Sequence, residues 1–63
     1  MTAAFVEAMK DLEHQLRQAS VTLDELIREA KLTPAATRQR AHVSLIDAAV
    51  ATAQAHLSLL RNP

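Results

Sequence analysis

Glycine is missing from this chain: none occurs in 63 residues, and the only proline away from the very end is Pro34. Tight connections between strands depend on residues that accept positive φ, and glycine is the one that does so at no steric cost. A chain without it, and rich in alanine, leucine, glutamate, glutamine and arginine, is suited to helix throughout. The expected fold class is therefore all-α. Disorder is not expected, because 49% of the residues are hydrophobic and the formal net charge is zero.

Size adds a second constraint. Below ~70–80 residues a single core rarely supplies more than ~3–5 kcal/mol, so small domains are usually held by disulfides, a metal or association. Cysteine is absent, which removes disulfides and thiolate metal sites together and leaves the redox compartment open. Oligomerisation or a partner protein remains. The N-terminal stretch carries Glu7 and Asp11 and has no basic segment leading into an apolar one, so it does not read as a signal peptide. Residues 41–60 hold a single formal charge, Asp47, but also His42, Ser44, Thr52, Gln54, His56 and Ser58. That is too many polar groups for hydrocarbon, and the expectation is a soluble, cytoplasmic protein with no membrane contact.

Periodicity supplies the architecture. Phe5, Met9, Leu12, Leu16, Ala19, Leu23, Leu26 and Ala30 are spaced 4, 3, 4, 3, 4, 3, 4, a heptad seam on one face of a helix. Glu7, Lys10, Asp11, Glu13, Arg17, Asp24, Arg28 and Lys31 read as its charged outer face. Glu13–Arg17 and Asp24–Arg28 are acid-before-base pairs at i,i+4, each worth a few tenths of a kcal/mol. A rival reading breaks this helix near Ser20–Thr22, because Thr22 and Glu25 fit a capping box. The register of Ala19 and Leu23 across that point favours one continuous helix over about residues 3–32.

Leu32-Thr33-Pro34 is the punctuation. Proline disfavours α geometry in the residue before it. Thr33 suits an N-cap and Pro34 a first helical position, so a second helix is expected over about 34–61. The connection is short, which favours antiparallel neighbours. The second helix has a seam in Ala36, Val43, Ile46, Val50, Ala53, Leu57 and Leu60, interrupted by Gln39. A further apolar stripe runs through Leu45, Ala49 and Leu59, with Ala48 and Ala55 nearby. A helix that is apolar on more than one face is normally buried on more than one face, and a single neighbour cannot cover both. Residues 2–32 hold four basic and six acidic side chains, net −2, and residues 33–63 hold three basic and one acidic, net +2. The halves attract weakly, which helps orientation more than stability. The expectation is thus a single domain over 1–63: an antiparallel two-helix hairpin, coiled-coil-like, that completes a bundle with a partner or a second copy.

Catalysis, cofactor binding and metal binding are not expected. His14, His42 and His56 are the conventional candidates, and none lies i,i+4 from another. His42 and His56 are two heptads apart, ~21 Å along a helix. Without glycine there is no phosphate-cradling loop and no nucleophile elbow. A two-helix layer offers no small-molecule cavity. Nucleic acid receives more weight, because residues 21–40 look like a helix-turn-helix in which Arg38 and Arg40 would face DNA. Lys31 in the turn and the zero net charge argue against it.

With the hairpin drawn, Leu12-Glu13-His14-Gln15-Leu16-Arg17-Gln18-Ala19 followed by Leu23 resembles the first helix of the small co-chaperones of type III secretion needle subunits. Pro34 falls where that family's second helix enters, ahead of Arg38-Gln39-Arg40. The segment Leu45-Ile46-Asp47-Ala48-Ala49-Val50 resembles its apolar C-terminal helix. The glycine and following aromatic common in that family's loop are absent. The resemblance implies a cytoplasmic adaptor that pairs with a larger helical-repeat chaperone and keeps the needle subunit from polymerising early. It makes the second helix the contact surface, with Leu45, Val50, Leu57, Leu59 and Leu60 as anchors and Ala49 in the same stripe. Two other readings stand beside it. One is a homodimeric four-helix bundle, similar to small plasmid RNA-binding regulators, with Arg17, Arg28, Arg38 and Arg40 as its basic groups. The other is the helix-turn-helix DNA binder.

Overall fold

The computed structural model of the protein describes residues 2–62; Met1 and Pro63, which the expected domain over 1–63 includes, lie outside the described residues. The protein is all-α, with two long helices and no strand among the described residues. Helix α1 spans Ala3–Lys31, a 3₁₀ turn spans Pro34–Ala36, and helix α2 spans Thr37–Arg61.

Local chemistry explains each boundary. Thr2 is extended (φ −77°, ψ 158°) and its hydroxyl oxygen accepts the Phe5 N–H at 3.1 Å, satisfying one of the orphan donors at the start of α1. The helix then runs unbroken through Ser20–Thr22, so the possible capping box at Thr22 is not used. Register won over local propensity there, because a break would have cost the burial of Leu23. Arg28 and Lys31 occupy the last turn, where positive charge suits the carbonyl end of the helix.

Thr33 behaves differently from the sequence expectation. Its backbone is extended (φ −117°, ψ 100°), as a residue before proline should be, but it makes no side-chain cap on α2. Its hydroxyl instead donates to the Glu29 carbonyl at 2.9 Å, closing the end of α1. The start of α2 therefore lacks a side-chain N-cap, and the chain enters it through the 3₁₀ turn, with the Ala36 N–H on the Thr33 carbonyl at 3.0 Å and the Thr37 hydroxyl on the Pro34 carbonyl at 3.3 Å.

From this connection α2 packs back along α1, bringing Arg61 onto Glu13. The molecule measures 49 × 16 × 12 Å, with a radius of gyration of 14.8 Å. A compact domain of this length would have a radius near ~11 Å. The elongation limits the core. Among the described residues only Met9, Leu23, Ala30 and Leu57 are buried, and no side chain is fully enclosed.

Candidate protein-interaction surface

The residues between the helices define how each helix is turned. On α1 the buried and half-buried positions are Val6, Met9, Glu13, Leu16, Ala19, Ser20, Leu23, Ile27 and Ala30; on α2 they are Arg40, Val43, Asp47, Val50, Gln54 and Leu57. Both sets follow the heptad. The columns Met9–Leu16–Leu23–Ala30 and Val43–Val50–Leu57 are those the sequence pattern predicts. Their companions are not. The expected companions Phe5, Leu12 and Leu26 on α1, and Ile46, Ala53 and Leu60 on α2, are exposed. In their place stand Val6, Glu13, Ser20 and Ile27, and Arg40, Asp47 and Gln54. Each helix is thus rolled about 50°, half of one residue's 100° turn, away from its expected seam. The reading of α1 as seamed inside and charged outside is corrected accordingly.

This roll creates two unlike sides. On one side Glu13, Arg17, Gln54, Leu57, Ser58 and Arg61 line a depression of about 150 Å³ that holds the charged groups of Glu13, Arg17 and Arg61. The Glu13 carboxylate accepts from Arg17 at 2.8 Å and from Arg61 across the helix pair. Glu13, expected on the outer face, is the most enclosed member of this trio: 19% of its side chain is exposed, against 69% for Arg17 and 53% for Arg61. Among the described residues Asp24 and Arg28 form no such pair. Glu13→Gln is expected to lose roughly 0.5–1 kcal/mol of stability at low salt, and less than half of that above about 0.5 M salt, where exposed pairs are screened. Urea titrations of both proteins at the two ionic strengths measure this. A gap between them that ignores salt would show that Glu13 acts by packing alone.

On the other side the displaced companions come together. Phe5, Ala8, Met9, Leu12, Leu57 and Leu60 line an apolar groove of about 180 Å³ between the helices. Steps of seven continue the face through Leu12, Ala19 and Leu26 on α1 and through Ala53, Ile46 and Gln39 on α2. Phe5, Leu12, Leu26, Ile46 and Leu60 are each between 42% and 52% exposed. Phe5, Leu12 and Leu26 were read as core from the sequence. Their heptad spacing marked them as a packing column, but not which neighbour packs on it.

The six residues proposed from the sequence as partner contacts separate into three places. Leu57 is buried and Val50 half-buried between the helices. Leu60 belongs to the two-helix apolar face. Leu45, Ala49 and Leu59 form a separate ridge on α2, with Leu45 at 68% and Leu59 at 65% exposure. In steps of 4 and 3 the ridge reads Leu45, Ala49, Thr52, His56, Leu59, which is a packing seam with no helix on it. The Thr52 hydroxyl already donates to the Ala48 carbonyl at 3.0 Å, so covering that position would strand no donor.

Accessible area gives the scale. The chain exposes 4960 Å², whereas a compact folded protein of 6.9 kDa exposes about 4,000 Å². The difference, about 1,000 Å², is comparable to the ~800 Å² that each partner buries in a standard protein–protein interface. The segment Pro34–Arg61 is also long and apolar enough by composition to cross a membrane, with 6% of its most apolar window buried. Among the described residues no group of three or more His, Cys, Asp and Glu side chains is placed to hold a metal ion.

Fold and surface together define an all-α, two-helix protein with uncovered apolar packing surfaces. No family model, no curated protein and no solved structure matches the chain.

Proposed function

We propose that this chain is a non-enzymatic, protein-binding adaptor: an antiparallel helical hairpin whose α2 receives a helix of another protein on the ridge Leu45–Ala49–Leu59. The observation that carries the reading is the pair of leucines, Leu45 and Leu59, exposed on a helix that already spends another side on α1. Burying two leucines of this kind contributes roughly 1.5–3 kcal/mol each, enough to matter in a small interface. The resemblance to needle-subunit co-chaperones gives this reading its specific form. The partner would then be a larger helical chaperone in the cytoplasm, and the complex would hold back a self-polymerising subunit.

The nucleic-acid readings draw less support. Arg17 is engaged by Glu13, and Arg40 is half-buried with its guanidinium on the Thr37 hydroxyl at 3.3 Å. Of the four arginines that the RNA-binding reading names, Arg28 and Arg38 are left without a side-chain partner among the described residues, a thin basis for binding phosphates. A helix-turn-helix needs its helices to cross at about 90–120°, and a body 16 × 12 Å across has them side by side. A membrane-inserted α2 is the second reading, favoured by its length and apolarity. Asp47, near its middle, would cost roughly 2.5–3.5 kcal/mol at the bilayer centre.

The test is binding to the proteins encoded beside this chain. Leu45→Asp combined with Leu59→Asp is expected to weaken the complex at least about 100-fold while leaving the far-UV circular dichroism unchanged. Unchanged affinity in that variant would remove the ridge as the contact. Flotation of the wild-type chain with neutral phosphatidylcholine vesicles would favour the membrane reading instead.

A further inference from the structure

We infer that the Leu45–Ala49–Leu59 ridge is a pH-sensitive contact: it takes up its partner helix with His42 and His56 neutral and releases it as the pH falls through the histidine range. The inference rests on the adaptor reading and adds the regulation of that same surface.

The ridge has two columns. Steps of seven along α2 place Leu45, Thr52 and Leu59 in one, and His42, Ala49 and His56 in the other. Two of the three histidines in the chain thus stand one heptad on either side of Ala49, and both are exposed. Helix α1 lies on the other side of α2. The positions turned toward it are Arg40, Val43, Asp47, Val50, Gln54 and Leu57. His56 and His42 lie roughly 150° and 110° around the helix from the middle of that set. Among the described residues no side-chain hydrogen bond or ion pair joins either histidine to α1.

The charged groups nearby favour neutral imidazoles. Arg38, one turn before His42, opposes a second positive charge there. Asp47, the one acid of α2, is half-buried toward α1, and Arg61 is held on Glu13. Ala41, Ala48 and Ala55 flank the ridge and are exposed, so the surface between the histidines is uncharged. The partner edge that fits it is apolar and brings no carboxylate to hold a proton. A helix seated on this column takes both imidazoles out of water, which disfavours their charged forms. The free chain then binds protons that the complex does not. Affinity is therefore full above the histidine range and is lost as the pH falls through it.

The test is the affinity of the full chain for the proteins encoded beside it, measured across the histidine range. From about pH 8 to about pH 5.5 it is expected to fall about 100-fold, roughly tenfold for each histidine. The two sites act independently, being ~21 Å apart. His42→Gln combined with His56→Gln should bind like the wild type at about pH 8 and lose the dependence below it. His14→Gln, on α1 and away from the ridge, should keep it. Proton NMR of the imidazole rings reads the same event directly: the His42 and His56 midpoints fall on binding and that of His14 does not move. An affinity that ignores pH, or a double variant that keeps the full dependence, overturns the inference and leaves the adaptor reading standing. An affinity that rises as the pH falls overturns it too, and reveals a carboxylate on the partner. Absence of binding at every pH overturns the adaptor reading and this inference with it.

Discussion

Leu23→Ala is expected to leave the protein largely unfolded at 25 °C. Among the described residues Leu23 is the most enclosed, at 5% exposure, and it shares the core with only Met9, Ala30 and Leu57. Truncating a buried leucine to alanine costs ~2–5 kcal/mol, the transfer term plus the cavity left behind. A core of this size supplies ~3–5 kcal/mol in total, so the loss is of the same order as the stability itself. The informative control is Leu26→Ala, three residues on. Both leucines belong to the apolar seam as the sequence presents it, but Leu26 is 48% exposed, and its truncation in the single chain should cost less than about 1 kcal/mol. Urea titrations followed by circular dichroism, at low micromolar concentration where association contributes least, would compare the two. Equal losses would mean that α1 is turned toward α2 as the bare pattern predicts, and would contradict the roll of the helices.

The largest expected gain lies at Asp47 and Gln54. Both are half-buried between the helices, in a column where a two-helix seam would ordinarily carry leucine or isoleucine. Asp47→Leu with Gln54→Leu should add about 2 kcal/mol by replacing partly desolvated polar groups with apolar area. In a domain this small, 1 kcal/mol moves the thermal midpoint by about 4–8 °C, so the pair should raise it by roughly 8–16 °C. Among the described residues neither side chain makes a hydrogen bond or ion pair to α1 that this change would sacrifice. A lowered midpoint would show that the polar column holds the helices in register, and that apolar residues there admit a competing alignment.

These two sites also show where the pattern stopped being informative. Helix, continuity and punctuation were legible in the residues themselves. The absence of glycine, the unbroken heptad from Phe5 to Ala30 and the proline after Thr33 are local facts, and local sterics act on them directly. The excess of apolar surface on α2 was legible too, since a count of apolar residues around a helix needs no neighbour. Thr33 was misassigned because an N-cap and a bond back to the preceding helix end use the same hydroxyl, and only the backbone path between them separates the two.

The sequence by itself determined that this protein is two long helices carrying more apolar surface than one pair can bury. Tertiary structure alone decided which of that surface is core. A heptad column such as Met9–Leu16–Leu23–Ala30 has two flanks, and periodicity cannot say which flank one neighbour takes. The fold spends the flank with Glu13, Ser20, Asp47 and Gln54 on the contact, where Arg61 reaches Glu13 across the pair. It leaves Phe5, Leu12, Leu26, Ile46 and Leu60 aligned on an open face. Burial is a property of pairs of surfaces, and a single sequence shows one surface at a time.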